Sequence, residues 1–186
     1  MKIKNLVMFL TMLGSFCVFS GIQAQSTGPK REVGLQFSSL DLDGSSFSAF
    51  FKKEKKENVY RRIRFATGDL GLGIQEEFTN FNFQVAFAIG REKRKELDDK
   101  LVFYHGPEFS ALFSAYANSE DDLAFNIRPR FGWVFGLQHS FNERWGINIE
   151  TIPTVYVGAT INDINEGLFF GAGGSTTVSL GIVRKF

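Results

Sequence analysis

The chain has 186 residues, a formal net charge of +1 and a mean hydropathy of −0.06. This length provides for one domain, and the near-zero charge gives no global attraction to nucleic acid, so no nucleic-acid partner is expected. Neutral hydropathy excludes a protein of many membrane helices but allows a membrane barrel, because half of each barrel strand faces inward. The 22 Phe and 19 Gly are unusual. They are typical of pleated, half-buried surfaces and of close backbone approach.

The first 24 residues have the pattern of a secretory signal peptide. Lys2 and Lys4 precede an apolar stretch over 6–19, and Ala24 precedes the expected cleavage site. A membrane helix is the alternative, but the flanking residues fit cleavage better. Since Cys17 would be removed with the signal, we expect a mature protein with no disulfide, thiol chemistry or thiolate metal site.

Residues 25–30 are interpreted as a short leader, and eight segments with a period of two follow over 31–186. The segment 80–90 is the cleanest, because Phe and branched residues alternate there with small or polar ones. A period of two indicates a strand with one apolar and one polar face. The predicted strands are 31–40, 47–53, 59–68, 80–90, 101–116, 123–139, a seventh that starts at Trp145, and the closing strand 175–186.

The connections are predicted from composition and charge. Turns or loops are expected at 41–46, 53–58, 69–79, 117–122, 141–144 and 162–174. The run Arg91–Lys100 carries both signs of charge, so we interpret it as a solvated turn and not as a basic nucleic-acid patch. Pro107 removes a ladder donor, which predicts a bulge or bend there, and Pro153 likewise predicts a bend.

The closing strand places four apolar side chains and one arginine on one face: Val178, Leu180, Ile182, Arg184 and Phe186. An aromatic residue in this place fits a lipid interface. Because backbone polar groups in lipid must all be paired, such a sheet has to close on itself. We therefore predict an all-β fold, an eight-stranded antiparallel up-and-down transmembrane β-barrel with both ends on the periplasmic side. A soluble sandwich or lipocalin-like barrel with an apolar lining is the alternative.

The polar faces of the predicted strands carry charged side chains. If these faces point inward, the charges must pair with one another. The predicted lumen charge network consists of Arg62, Arg64, Glu108, Arg128, Arg130 and Glu150. Side chains just fill an eight-stranded barrel, so we expect a plugged lumen with a structural polar core. A polar conduit for small solutes is the alternative function.

Candidate catalytic groups are few. His139 and Ser140 are adjacent and therefore point to opposite faces of a strand, and no serine near His105 shares its face. No Ser-His-carboxylate constellation, cofactor motif or metal-ligand cluster is visible, so we predict no enzyme, cofactor or metal site. A lipid-modifying outer-membrane enzyme remains a second alternative. The Gly-rich stretch 171–175 precedes a strand and not a helix, which does not fit a phosphate-binding loop.

Five segments carry a family resemblance: VGLQFSSL, YRRIRFA, GREKRKELDDKLVFYHGPEF, NERWGINIE and VSLGIVRKF. Together they resemble the small outer-membrane β-barrel proteins of Bacteroidota over nearly the whole mature chain. The resemblance implies an outer-membrane, lipid-embedded barrel, mostly without a defined activity. We expect a structural or interaction role, in which the outer loops would meet any envelope or extracellular partner. It also implies that Phe186 is a signal to the barrel-assembly machinery. Arg184 departs from the family's apolar or aromatic preference at its position.

Overall fold

The computed structural model describes residues 30–38, 47–75, 78–117, 123–162 and 167–186. The predicted signal peptide and nearly all of the leader lie outside these ranges. The described residues form eight antiparallel strands that close into one barrel in chain order. The strands are β1 Arg31–Phe37, β2 Phe47–Lys56, β3 Val59–Gln75, β4 Phe78–Asp98, β5 Leu101–Ala117, β6 Leu123–Ser140, β7 Trp145–Asn162 and β8 Gly167–Lys185. This confirms the predicted eight-stranded antiparallel barrel.

None of the described segments is a helix that is long and apolar enough to cross a membrane.

Closure depends on pairing between the first and last strands. Residues Glu32–Phe37 of β1 pair with Lys185–Leu180 of β8. Beyond this ladder, Arg31 and Phe186 exchange backbone hydrogen bonds of 3.2 and 2.9 Å. The seam therefore leaves no open sheet edge at this end of the barrel.

The barrel has its apolar side chains outside and its charged side chains inside. Phe109 and Phe131 are 53% and 52% exposed, whereas Lys52 and Arg62 are 0% exposed. The same alternation runs through the described strands because successive side chains of a strand point to opposite faces. The alternative of a soluble barrel with an apolar lining is therefore wrong.

The strands extend further toward the turns than predicted. β2 continues to Lys56 and β4 to Asp98, so the turns are only 57–58 and 99–100, and 141–144 is the tight connection expected. Asn58 takes φ 57° in its turn, a left-handed conformation that Asn tolerates. The interpretation of Arg91–Lys100 as a solvated turn is wrong for Arg91–Asp98, which is strand, and holds only for 99–100. Charges of alternate residues can enter the lumen, whereas the patterning rule assumes that they all meet water.

Two predicted loops are largely strand. Leu70–Gln75 of β3 pairs with Phe83–Phe78 of β4, and Gly167–Gly174 of β8 pairs with Asn162–Val155 of β7. The loops predicted at 69–79 and 162–174 are therefore wrong for most of their length. Both loops are predicted because their residues have low intrinsic strand propensity. Pairing with the neighbouring strand overrides that propensity. The predicted turn at 41–46 and residues 118–122 lie outside the described residues.

The two prolines do not cause bulges. The β5–β6 register continues unchanged through Pro107, and the β7–β8 register through Pro153. Each proline strand also pairs with a second neighbour, β5 with β4 and β7 with β6. In these pairings the ladder is interrupted at the proline and resumes in the same register. A missing N–H therefore leaves a local gap in the ladder, and of the two possibilities predicted at Pro107 the bulge is wrong. Register shifts occur at Glu54/Lys56, Thr67/Leu70 and Glu96/Asp98.

Candidate functional site

The lumen near the short turns is organised around Arg94 of β4. Its guanidinium donates to both carboxylate oxygens of Glu32, at 2.8 and 2.7 Å, and its Nε donates to Glu92 at 2.9 Å. Below these contacts, the guanidinium carbon lies 3.7 Å from the centroid of the Tyr60 ring. Gln138 donates to Glu32 at 3.2 Å. A bidentate arginine–carboxylate pair is both strong and geometrically specific, so Arg94 joins β1 to β4 across the interior.

A second group of contacts converges on Glu150 of β7. Arg62 Nη2 donates to Glu150 Oε2 at 2.8 Å, and the Tyr104 hydroxyl donates to Oε1 at 2.6 Å. Lys52 Nζ donates to the same Oε1 at 3.3 Å and Asn148 Nδ2 at 3.1 Å. Because this carboxylate is 1% exposed, protein donors replace the water that it would otherwise bind.

Lys52 and Arg62 connect these contacts into one network. Lys52 Nζ also lies 3.1 Å from Glu92, and Arg62 Nε lies 2.9 Å from Glu108, which in turn binds Arg64. We call these residues the lumen network. It contains four acids and four bases: Glu32, Glu92, Glu108, Glu150, Lys52, Arg62, Arg64 and Arg94. Its formal charge is therefore zero, which offsets part of the large cost of removing ions from water.

Apolar side chains complete the filling of the lumen. Tyr104, Val134 and Ile152 form a buried cluster with exposures of 0–1%. The Tyr104 ring packs directly over Gly136, where any Cβ would overlap it. The absence of a side chain at Gly136 thus places Tyr104 across the lumen, with its hydroxyl on Glu150. Side chains are expected to fill a barrel of this size.

The structure brings together four of the six residues of the predicted charge network. Arg62, Arg64, Glu108 and Glu150 belong to the lumen network. Arg128 and Arg130 do not belong to it. Their guanidinium carbons lie 5.7 and 5.9 Å from the centroid of the Tyr156 ring, and neither arginine forms an ion pair within the described ranges. Pairing of these two arginines with Glu108 or Glu150, as predicted, is therefore wrong.

Sequence reasoning missed four network members, namely Glu32, Lys52, Glu92 and Arg94. The signal that could have found them is parity. Glu92 and Arg94 continue the inward positions of Ala88 and Gly90 along β4. Because the charged run Arg91–Lys100 was interpreted as a turn, the alternation of inward and outward positions was not followed past Gly90.

Beyond the network, toward the end away from the short turns, lies a cavity of about 140 Å³. Its polar lining includes Arg64, Arg130, Gln84, Ser110 and Thr154. The cavity borders the closed part of the lumen and does not pass through it, since Lys52, Arg62 and Glu92 are 0% exposed.

The two histidines lie on the outer face. His105 stacks between Phe103 and Trp133, with centroid distances of 5.7 and 6.2 Å, and His139 contacts the edge of Phe141. Ser140 accepts a hydrogen bond from Lys185 inside the barrel, on the face opposite His139. Within the described ranges, no group of three or more His, Cys, Asp or Glu is placed to hold a metal ion. The placement of these residues offers no base–nucleophile pair for acyl transfer.

Comparison with known proteins supports the architecture. No protein-family model matches the chain, and no curated protein does. Among solved structures, the barrel is similar to Neisserial surface protein A, with a TM-score of 0.50, 9% identity, and coverage of 85% of this chain and 96% of that one. It is also similar to Ail, the attachment invasion locus protein of Yersinia pestis, with a TM-score of 0.53, 11% identity and coverage of 86% and 100%. At these identities the likeness shows the fold alone.

Proposed function

We propose that this chain is an integral outer-membrane protein with a structural or surface-interaction role, whose filled lumen is closed to solutes. The observation that carries the proposal is the inverted distribution of side chains. Fully buried Lys52, Arg62 and Glu150 occupy the interior, while large aromatic residues such as Phe109 and Phe131 are about half exposed. In water that outer face would be an extensive apolar patch, whereas lipid solvates it.

The proposed orientation puts both chain ends at the periplasmic side. The turns at that end, 57–58, 99–100 and 141–144, are all short, as is usual for the periplasmic turns of outer-membrane barrels. The connections at the opposite end would then face the cell exterior and meet envelope or extracellular partners. Two structurally similar proteins are named for such roles: one is a surface protein, and the other is an attachment invasion locus protein.

The remaining expectations complete the proposal. The chain has no catalytic role and no nucleic-acid partner, enters the envelope through its signal peptide, and belongs to the Bacteroidota-type barrels that it resembles. The barrel-assembly machinery recognises its last strand through Phe186. Recovery in the outer-membrane fraction, with heat-modifiable migration on a gel, is expected. A soluble periplasmic product would contradict the membrane location.

Planar-bilayer recording tests the closed lumen. The mature protein, reconstituted in its heat-modifiable form, is expected to give no steady single-channel steps at neutral pH, because the lumen network leaves no continuous path. The charge-balanced double variant Arg62→Ser/Glu150→Ser is the control for detection, since it removes one large base and its carboxylate from the centre of the barrel. Steady steps from the wild-type protein would instead establish the small-solute channel.

A further inference from the structure

A row of four cations crosses the outer face of the barrel near the short turns. Arg31 of β1 is the register partner of Lys53 on β2, Lys53 is the partner of Arg61 on β3, and Arg61 is the partner of Arg91 on β4. With strands about 4.8 Å apart, the row is about 14 Å long. Like charges directly opposite one another destabilise a sheet, so an anion bound across the four would stabilise this part of the barrel.

Three more cations extend this row on the same face. Lys55, Lys93 and Lys95 are exposed and lie toward the same turns, and Lys93 is the register partner of Val59 and His105. We call the seven residues the basic patch: Arg31, Lys53, Lys55, Arg61, Arg91, Lys93 and Lys95.

The basic patch is not neutralised by the protein. None of its members forms an ion pair with any acid in the part of the chain that the structure describes. Two neighbouring acids, Glu32 and Glu92, face the lumen, are buried and are bound to Arg94. Glu54 accepts a hydrogen bond from the Asn58 amide, and Glu96 is exposed near the turn. The outer face therefore carries a concentrated positive charge of its own.

A groove of about 540 Å³ joins the patch to the apolar surface. Lys55, Arg61 and Arg91 line its charged end, and Ile89, Phe109 and Phe131 line its apolar part together with Gly90 and Pro107. Pro107 faces outward with a short side chain, so the surface is recessed between the larger side chains of Phe109 and Phe131. The groove is thus amphipathic along its length.

On the strands, the outward cations at this end are concentrated on one side of the barrel. At the same end of β5–β8, the outward residues include Phe103, Leu137, Ile147 and Ile182. Arg184 is the counterexample on β8, and its guanidinium lies over the rings of Trp145 and Phe186, at 5.6 and 5.0 Å. Lys100 and Arg144 are exposed in the turns at this end. On the described strands, however, the outward cations at this end lie on β1–β4 with the exception of Arg184.

We propose that the basic patch binds the phosphate of an anionic phospholipid of the inner leaflet, with an acyl chain in the groove. The inference rests on the proposed membrane orientation, which places this end among phospholipid headgroups. Arginine guanidinium groups match phosphate oxygens bidentately, and the apolar walls match a hydrocarbon chain. Charge and shape thus point to one amphiphilic occupant.

Native mass spectrometry of the mature protein in neutral detergent tests this binding. Wild-type protein is expected to retain phosphatidylglycerol in preference to phosphatidylcholine with the same acyl chains. The variant Arg61→Gln/Arg91→Gln should lower phosphatidylglycerol retention by about thirtyfold, given the usual attraction of each of the two basic residues to anionic lipid. Arg184→Gln is the matched control, because it removes an outward cation at the same end but outside the patch. Its retention should equal that of the wild type.

Other results would overturn the proposal. One is equal retention of both lipids by wild-type protein in its heat-modifiable form, and another is an unchanged preference in the double variant. Displacement of the lipid by millimolar inorganic phosphate alone would show a free-anion site, and preference for lipid A over phosphatidylglycerol would reject the inner leaflet. Membrane fractionation and conductance do not depend on these results, so a failure here is separable from a failure of the proposed function.

Discussion

At the residue scale, Glu150 shows how the lumen tolerates ions. Its two oxygens receive hydrogen bonds from Arg62, Lys52, Tyr104 and Asn148. Four donors satisfy the acceptor capacity that water would otherwise fill. The burial of this carboxylate is stable only as part of the set, because each partner would be costly to bury alone.

Glu150→Gln is therefore expected to destabilise the barrel by about 3–5 kcal/mol, the usual cost of removing one partner from a buried ion pair. The substitution leaves four bases facing three acids in the lumen network. Urea unfolding in lipid vesicles measures the change. Glu143→Gln, in the exposed turn 141–144, is the control and should unfold like the wild type. A second variant, Lys52→Met/Glu150→Gln, restores the charge balance and should regain part of the loss; equal stability of the two Glu150 variants would contradict coupling.

Gly136→Ala is expected to displace the Tyr104 ring, because the added Cβ overlaps it. Overpacking of this kind costs about 1–3 kcal/mol, and the Tyr104–Glu150 hydrogen bond is lost as well. Near-ultraviolet circular dichroism and unfolding midpoints report the change. Gly171→Ala has no heavy atom within 4 Å of the new Cβ and should leave both signals unchanged. Identical behaviour of the two variants would mean that Tyr104 does not pack over Gly136.

At the element scale, β4 continues to Asp98, past Gly90, where its alternation of apolar residues ends. This extension of the β4–β5 hairpin contributes residues to the lumen network. Glu92 and Arg94 point inward while Lys93 and Lys95 point outward. The strand pairs Lys93 with His105 and Lys95 with Phe103. One stretch of sequence thus supplies the lumen network on one face and the basic patch on the other.

Hydrogen exchange distinguishes this hairpin from a solvated turn. Amides of residues 93–96 are expected to be protected as strongly as those of 84–90, because both sets pair with β5. The turn 141–144 provides the fast-exchanging comparison. Exchange of 93–96 at the rate of that turn would show that the strand ends near Gly90.

At the scale of the whole molecule, the lumen network links strands that are not neighbours. Glu32 joins β1 to β4 through Arg94 and to β6 through Gln138. Arg62 and Lys52 join β3 and β2 to β7 through Glu150. β1 is the shortest strand described, with seven residues, so these links support the seam where the barrel closes.

Phe186→Ala tests recognition of the last strand separately from closure. The backbone hydrogen bonds between Phe186 and Arg31 survive the substitution, so refolding of purified protein into vesicles should be nearly normal. In cells, the heat-modifiable fraction should fall several-fold, since the assembly machinery would lose its signal. Phe141→Ala removes an exposed aromatic residue from the same end and should assemble normally. Equal assembly of both variants in cells would remove the signal role of Phe186.

The alternation of Phe and polar residues was enough to predict an eight-stranded antiparallel barrel, because a period of two is a local property of each strand. The same parity placed Arg62, Arg64, Glu108 and Glu150 on one face. Tertiary structure alone decided the partners of these residues. Pairing across the lumen depends on shear and strand register, which bring Glu32 to Arg94 and leave Arg128 and Arg130 beside Tyr156. It also decided that Arg91–Asp98 is strand, since only a closed barrel provides an interior in which Glu92 and Arg94 can be neutralised.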